Sequence, residues 1–87
     1  MHIAKVTGSL VSTQKEVSLT GKKLMIVQPV NGNGEAIKSE EVACDSVGAG
    51  VGEHVLITRG HAARMTFEPK ENVIDLAIVA IIDSLDR

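Results

Sequence analysis

Apolar positions in this chain fall into five short runs, separated by stretches rich in glycine, asparagine and charge. The run Ile3 to Val11 carries Val6, Leu10 and Val11 among small polar residues and predicts a strand interrupted near Gly8, where a bulge or bend is expected. Ser12 to Glu16 is polar and reads as a loop, and Ser18-Leu19-Thr20-Gly21 as a turn. Lys23 to Val30 is a buried strand by composition; Pro29 belongs at its edge or end, because proline cannot donate to a ladder. Asn31-Gly32-Asn33-Gly34 is the strongest hairpin signal in the chain and predicts a second strand from about Ala36 to Asp45. A glycine loop and a strand from His54 to Thr58 follow. Gly60 to Met65 suggests one short helical turn with Gly60 as its N-cap. Glu68 to Asn72 is a charged surface loop. Val73 to Leu85 is ambiguous by length and period, but its Ile78 to Ile82 centre is rich in β-branched residues and is assigned to a strand. The sum is a small all-β domain of five strands and one short helix. A closed or partly open barrel would hide that many strand edges.

The most informative stretch is the loop between the third and fourth runs. Gly48, Gly50 and Gly52 alternate with Ala49 and Val51, ahead of Glu53. Glycine permits φ > 0 and close approach of another chain. The result is a surface dominated by backbone. Such a surface suits three tasks: cradling an anion, packing against a neighbouring subunit, or ringing a narrow axis.

Size and composition narrow these. With 87 residues the chain forms one domain spanning residues 1–87, with a core small enough to gain from oligomerisation. Cys44 is the single cysteine, which excludes an internal disulfide, suits a reducing cytoplasmic setting and reads as a small buried apolar residue. No basic and apolar leader follows Met1, so no secretory signal is expected. The longest apolar candidate, Leu76 to Ile82, is far too short to span a bilayer, and no membrane association is expected. The net charge of −2 gives no general attraction for polyanions, and Phe67 is the only aromatic residue. Five-stranded barrels that bind single-stranded nucleic acid combine a basic groove with stacking rings. Here the basic residues Lys15, Lys22 and Lys23 form a small group and the rings are missing. A small OB-type binding module is therefore the second reading, behind a structural role.

Catalysis has little to build on. Cys44, His54 and Asp45 supply the residue types of a nucleophile, base and orienting acid, but no nucleophile-elbow pattern is present. The three histidines, His2, His54 and His61, and Cys44 show no metal-ligand spacing. The glycine loop lacks both the Gly-Lys-Ser/Thr of a P-loop and the Gly-x-Gly-x-x-Gly spacing of a dinucleotide site, and a strand follows it rather than a long helix. No enzyme activity, cofactor or metal is expected.

Taken together, several segments resemble one family. They are Ile3-Ala4-Lys5-Val6-Thr7-Gly8, Ser12-Thr13-Gln14-Lys15, Leu19 to Leu24, Val27-Gln28-Pro29, Asp45 to Glu53, Gly60-His61-Ala62-Ala63-Arg64 and Asp75 to Asp83. Their order and spacing resemble those of bacterial microcompartment vertex proteins of the ethanolamine-utilisation and carboxysome type. The resemblance implies an OB-like barrel that assembles into a cyclic homopentamer at the corners of a shell in the cytoplasm. It also implies contact with the hexameric shell proteins that tile the facets, and no nucleic-acid partner. A ring of this kind uses a head-to-tail interface that closes on itself. On that basis Gly48, Ala49, Gly50, Val51, Gly52 and Glu53 are candidates for the pentamer axis or a subunit contact, with an ordinary inter-strand turn as the alternative. Arg64 is a second candidate, bridging an interface or forming a salt bridge within the subunit, with Asp45 and Asp75 as possible partners. Lys15 is a third, against a solvated loop lysine. His61 stands where many relatives carry a small residue. The compartment type stays open between carboxysome, ethanolamine, propanediol and glycyl-radical systems.

Overall fold

A computed structural model describes residues 1–13 and 15–84. Five strands, β1 (His2–Leu10), β2 (Lys23–Pro29), β3 (Glu41–Asp45), β4 (His54–Arg59) and β5 (Leu76–Ile82), close into a barrel in the order β1-β2-β3-β5-β4. A 3-10 turn at Val17–Leu19 joins β1 to β2, and helix α1 (Gly60–Met65) follows β4. All neighbours are antiparallel except β3 and β5, which run parallel.

Two bulges set which side chains turn inward. In β1, Val6 lies opposite Val27 and Gly8 opposite Ile26, so Thr7 is the extra residue. Its hydroxyl reaches the Ile26 carbonyl and the Glu40 carboxylate, at 3.3 and 2.6 Å. The bend expected near Gly8 is this bulge. In β5, Ile78 faces Ile57 and Ala80 faces Leu56, which leaves Val79 extra. Ile78 and Ile81 can therefore both pack on the inner core although they stand three positions apart.

The barrel interior is aliphatic: Ala4, Val6, Met25, Val27, Ala43, Ala49, Val55, Ile57, Leu76 and Ile78 are all buried in one cluster. A second cluster lies outside the barrel wall, where Cys44, Ala63, Phe67, Ile74 and Ala77 pack with Leu19, Leu24 and Val79. Helix α1 and the segment after it supply that cover. β5 is thus covered on both faces, which is why its sequence is a continuous apolar run without alternation. Cys44 is 2% exposed, as expected of a small apolar residue.

The third strand departs from expectation. It starts at Glu41, not near Ala36. Ala36 makes only an isolated bridge to Val30, and residues 36–40 are exposed. Ile37 donates to the Pro29 carbonyl, and the Lys38 carbonyl accepts from the Gln28 side chain, so the segment is tied down as a strap rather than paired as a strand. The Asn31 side chain organises the turn before it, accepting from the backbone of Asn33 and Glu35. The helix also starts differently. Gly60 is its first residue and Arg59 its cap, without a side-chain capping bond. Gly60 turns the chain off β4 at φ +62 while its N–H donates to the Asp75 carbonyl. The fifth strand begins at Leu76, and Leu85 lies outside the described residues.

Candidate assembly site

The glycine loop is rigidly built. It begins at Asp45, the last residue of β3, whose side chain is 1% exposed. One carboxylate oxygen accepts the N–H of Val47 at 3.0 Å and the other that of Ala49 at 2.8 Å. Lys23, opposite Asp45 in the ladder, places its ammonium 3.8 Å from the same carboxylate and donates to the Ala49 carbonyl at 2.9 Å. Ala49 itself is fully buried in the inner core. The Asp45 turn thus drives the loop's middle into the barrel mouth.

The second half of the loop folds on Glu53. Its carboxylate accepts the Gly50 N–H at 2.6 Å, and its own N–H donates to the Gly50 carbonyl at 3.2 Å. Gly52 donates to the Val6 carbonyl and Val6 donates to the Glu53 carbonyl, at 2.8 and 2.9 Å, so the loop is laced to β1 beside its bulge. Gly48 and Gly52 take φ values of +79 and +95, which other residues adopt only with strain. Gly50 does not have a positive φ. A Cβ there would lie 3.4 Å from the Glu53 carboxylate tip, a flexible neighbour. What projects from the loop is Val51, 63% exposed.

This geometry decides one of the three tasks open to the loop. The N–H groups of Val47, Ala49, Gly50 and Gly52 already donate to carboxylates or to β1. Two acidic side chains hold the positions an anion would occupy and would repel it. Packing against another chain, or ringing an axis, remain as uses for the exposed tip.

The other candidates are placed apart from this hydrogen-bonded unit. Arg64 sits half-buried in the last turn of α1, and its carbonyl accepts from Phe67 and from the Asn72 side chain. Among the described residues it forms no ion pair: Asp45 is engaged by Lys23, and Asp75 acts on Arg59. Within one subunit, therefore, neither Asp45 nor Asp75 pairs with Arg64. Lys15 is exposed on the β1–β2 connection and has no ion pair among the described residues. Lys23 leaves the basic group inferred from sequence, since its ammonium belongs to the loop. His61 is exposed on α1.

Sequence reasoning missed Asp45 and Lys23 as organisers of the loop. The readable signal was an aspartate followed by small residues, the pattern of a side chain that caps its own turn. It also missed the Arg59–Glu41 pair, in which both terminal guanidinium nitrogens meet the carboxylate, at 2.9 and 2.5 Å. That contact, with weaker help from Arg59's charge, Lys38 and His2, holds the Glu41 carboxyl below its ordinary value despite partial burial. Cys44, His54 and Asp45 do not form a catalytic set. Burial, the largest influence on Cys44, raises its thiol, whereas a nucleophile needs the opposite shift. His54 is exposed at the start of β4.

The closed five-stranded barrel with one short helix is a fold this chain shares with pentameric microcompartment shell proteins. The family model described as "Ethanolamine utilisation protein EutN/carboxysome" matches residues 1–83, and the chain belongs to this family of bacterial microcompartment shell vertex proteins. It is 54% identical to the shell vertex protein PduN of Salmonella typhimurium, covering 98% of both chains. Against the carboxysome shell vertex protein CcmL of Synechococcus elongatus it is 50% identical over 99% of this chain and 87% of that one. Among solved structures, the pentameric microcompartment shell protein GrpN of Rhodospirillum rubrum superimposes with a TM-score of 0.90 at 39% identity, covering 100% of both chains.

Proposed function

We propose that five copies of this chain close into a ring that occupies a vertex of a microcompartment shell in the cytoplasm. The ring contacts the hexameric proteins of the adjoining facets and supplies the curvature that a flat hexagonal sheet lacks. The role is structural, with no reaction and no cofactor. The observation that carries this reading is the similarity to GrpN, a pentameric shell protein, over the full length of both chains.

In this reading the Gly48–Glu53 tip lies at the ring axis or against the adjacent subunit. Its support is physical: a side-chain-poor surface, fixed by internal bonds, loses little entropy on packing against another chain. Arg64 is assigned to the interface because its fork has no acceptor within the described subunit and suits carbonyls or a carboxylate of a neighbour. Lys15 is assigned to the same class of contact, as an exposed cation without an ion pair among the described residues.

Native mass spectrometry or light scattering of the purified protein tests the reading. A pentamer is expected. A hexamer would keep the shell role and remove the vertex, and a stable monomer would overturn both.

A further inference from the structure

The barrel is closed unevenly. β1 pairs with β2 along most of both strands, β2 with β3 from Lys23 to Val27, and β4 with β5 from His54 to Arg59. Between β3 and β5 only Cys44 opposite Ala77 and Asp45 opposite Ile78 are in register. This seam is also the single parallel pairing, which is slightly weaker per residue than antiparallel pairing. On the β5 side, Glu41, Val42 and Ala43 have no ladder partner. A shallow groove of about 160 Å³ runs there instead, lined by Leu24, Val42, Cys44, Ile74 and Leu76 among others.

Two side-chain contacts reinforce the seam. At one end the Ser46 hydroxyl and N–H both donate to the Ile78 carbonyl, at 2.7 and 3.2 Å. At the other, where β5 has yet to begin, Glu41 of β3 reaches past it to Arg59 of β4 in the two-pronged pair described above. Arg59 lies opposite Leu76, the first residue of β5. The guanidinium commits both terminal nitrogens to Glu41, while its buried Nε has no partner among the described residues. Removing Glu41 would leave a half-buried cation without its hydrogen-bonding partner, with only the charge of Asp75 acting on it.

We propose that the β3–β5 seam is where this barrel opens locally, with the Glu41–Arg59 pair as its latch and Cys44 as the group that the opening uncovers. In the opened state the strands form a continuous sheet, β3-β2-β1-β4-β5, in which every antiparallel ladder survives and the parallel one alone is broken. Cys44 is the floor of the seam. It is shielded by Ile74, Phe67 and Ala77, which travel with β5, and by Leu24, which travels with β2. Its thiol is the only one in the chain, so alkylation reads this position alone.

The test is alkylation of the purified, assembled protein by N-ethylmaleimide, read by intact mass at rising urea below the unfolding midpoint. Peptide-level hydrogen exchange is measured alongside. Local opening exposes little surface, so wild-type labelling should depend weakly on urea. Glu41→Gln should speed labelling about fivefold, the equivalent of roughly 1 kcal/mol. Arg59→Lys, which keeps the charge but loses the fork, should fall between the two. Glu35→Gln, which alters only the exposed contact with Asn31 in the turn after β2, should leave labelling unchanged. Peptides covering β3 and β5 should exchange ahead of those covering β1 and β2. Should Glu41→Gln fail to fold, the wild-type urea dependence and Arg59→Lys decide. Labelling with the full urea dependence of global unfolding, or equal rates in wild type and the latch variants, would overturn the proposal.

Discussion

The inside and the outside of the barrel wall are held by different means. The inner cluster is enclosed by ladders and stapled at its mouth by Ala49, whose loop is fixed by Asp45, Lys23, Glu53 and Val6. The outer cluster around Cys44, Phe67 and Ile74 is covered by one short helix and the segment after it. That cover relies on separate side-chain bonds: Asn72 to the Arg64 and Pro69 carbonyls, Lys70 to the Met65 carbonyl, and Glu16 to both the hydroxyl and the N–H of Ser18. Ladders cooperate, because breaking one bond loosens its neighbours. The ties of the cover act one at a time. The inner core should therefore set the stability of the subunit, and the cover should yield first.

The sharpest test of that difference is a matched pair of cavities. Ile57→Ala, fully buried inside the barrel, should cost about 4 kcal/mol, near the upper part of the range for such truncations. Ile74→Ala, in the outer cover, should cost about 2 kcal/mol, because the short segment around it can collapse into the space. Denaturant unfolding at one fixed protein concentration measures both. Equal losses would erase the distinction between core and cover.

Next in size is the loop staple. Asp45→Ala removes the acceptor of two N–H groups and the partner of Lys23, and should cost about 2–3 kcal/mol. The loss should appear in the subunit's stability, since Ala49 is part of the inner core. If stability holds and only assembly suffers, the loop is not the staple argued here.

Assembly variants separate the two regions in another way. Gly50→Val should change subunit stability by less than about 1 kcal/mol, since Gly50 lacks a positive φ and faces only a flexible carboxylate. It should nonetheless weaken the ring, and native mass spectrometry should show subpentameric species. Arg64→Ala, from the outer cover, should weaken the ring by roughly 1–2 kcal/mol. Intact rings at low micromolar concentration for both variants would remove both residues from the interface.

The smallest effect expected is on acidification. The Arg59 contact holds the Glu41 carboxyl below its ordinary 4.5, with Lys38 and His2 adding smaller attractions, while Asp75 faces Arg59 from the segment before β5. A carboxylate depressed in the folded state contributes fully above its unfolded value, and the contribution is lost as pH falls through the folded one. Because the pair is about one-third exposed, solvent screening limits this to about 1 kcal/mol or less. Glu41→Gln should flatten the stability profile below pH 4.5 relative to wild type. An unchanged slope there would show that Glu41 is not depressed.

Where the chain could be read in advance, local chemistry was sufficient. The bend at Gly8, the end of β2 at Pro29, the short helix after Arg59 and the buried Cys44 follow from residue types and near neighbours. The third strand starts later than the Asn-Gly turn predicts because Ala36 finds only one bridge and Ile37 one bond to the Pro29 carbonyl. Pairing is a property of two segments, and one alone cannot report it.

The same limit separates what the sequence determined from what the folded molecule decided. Five apolar runs, their turns and the side-chain-poor loop are written locally, because φ preferences and apolar spacing act over a few residues. Together with the ordered set of family segments, they place the chain among shell vertex proteins. Which two strands meet in parallel, that Lys23 serves Asp45 rather than a basic patch, and that Glu41 finds Arg59 across the start of β5 were settled only on closure. Each joins residues brought close by the barrel, not by the chain. Their geometry depends on bulges at Thr7 and Val79 that shift register by one residue, an offset fixed by tertiary packing.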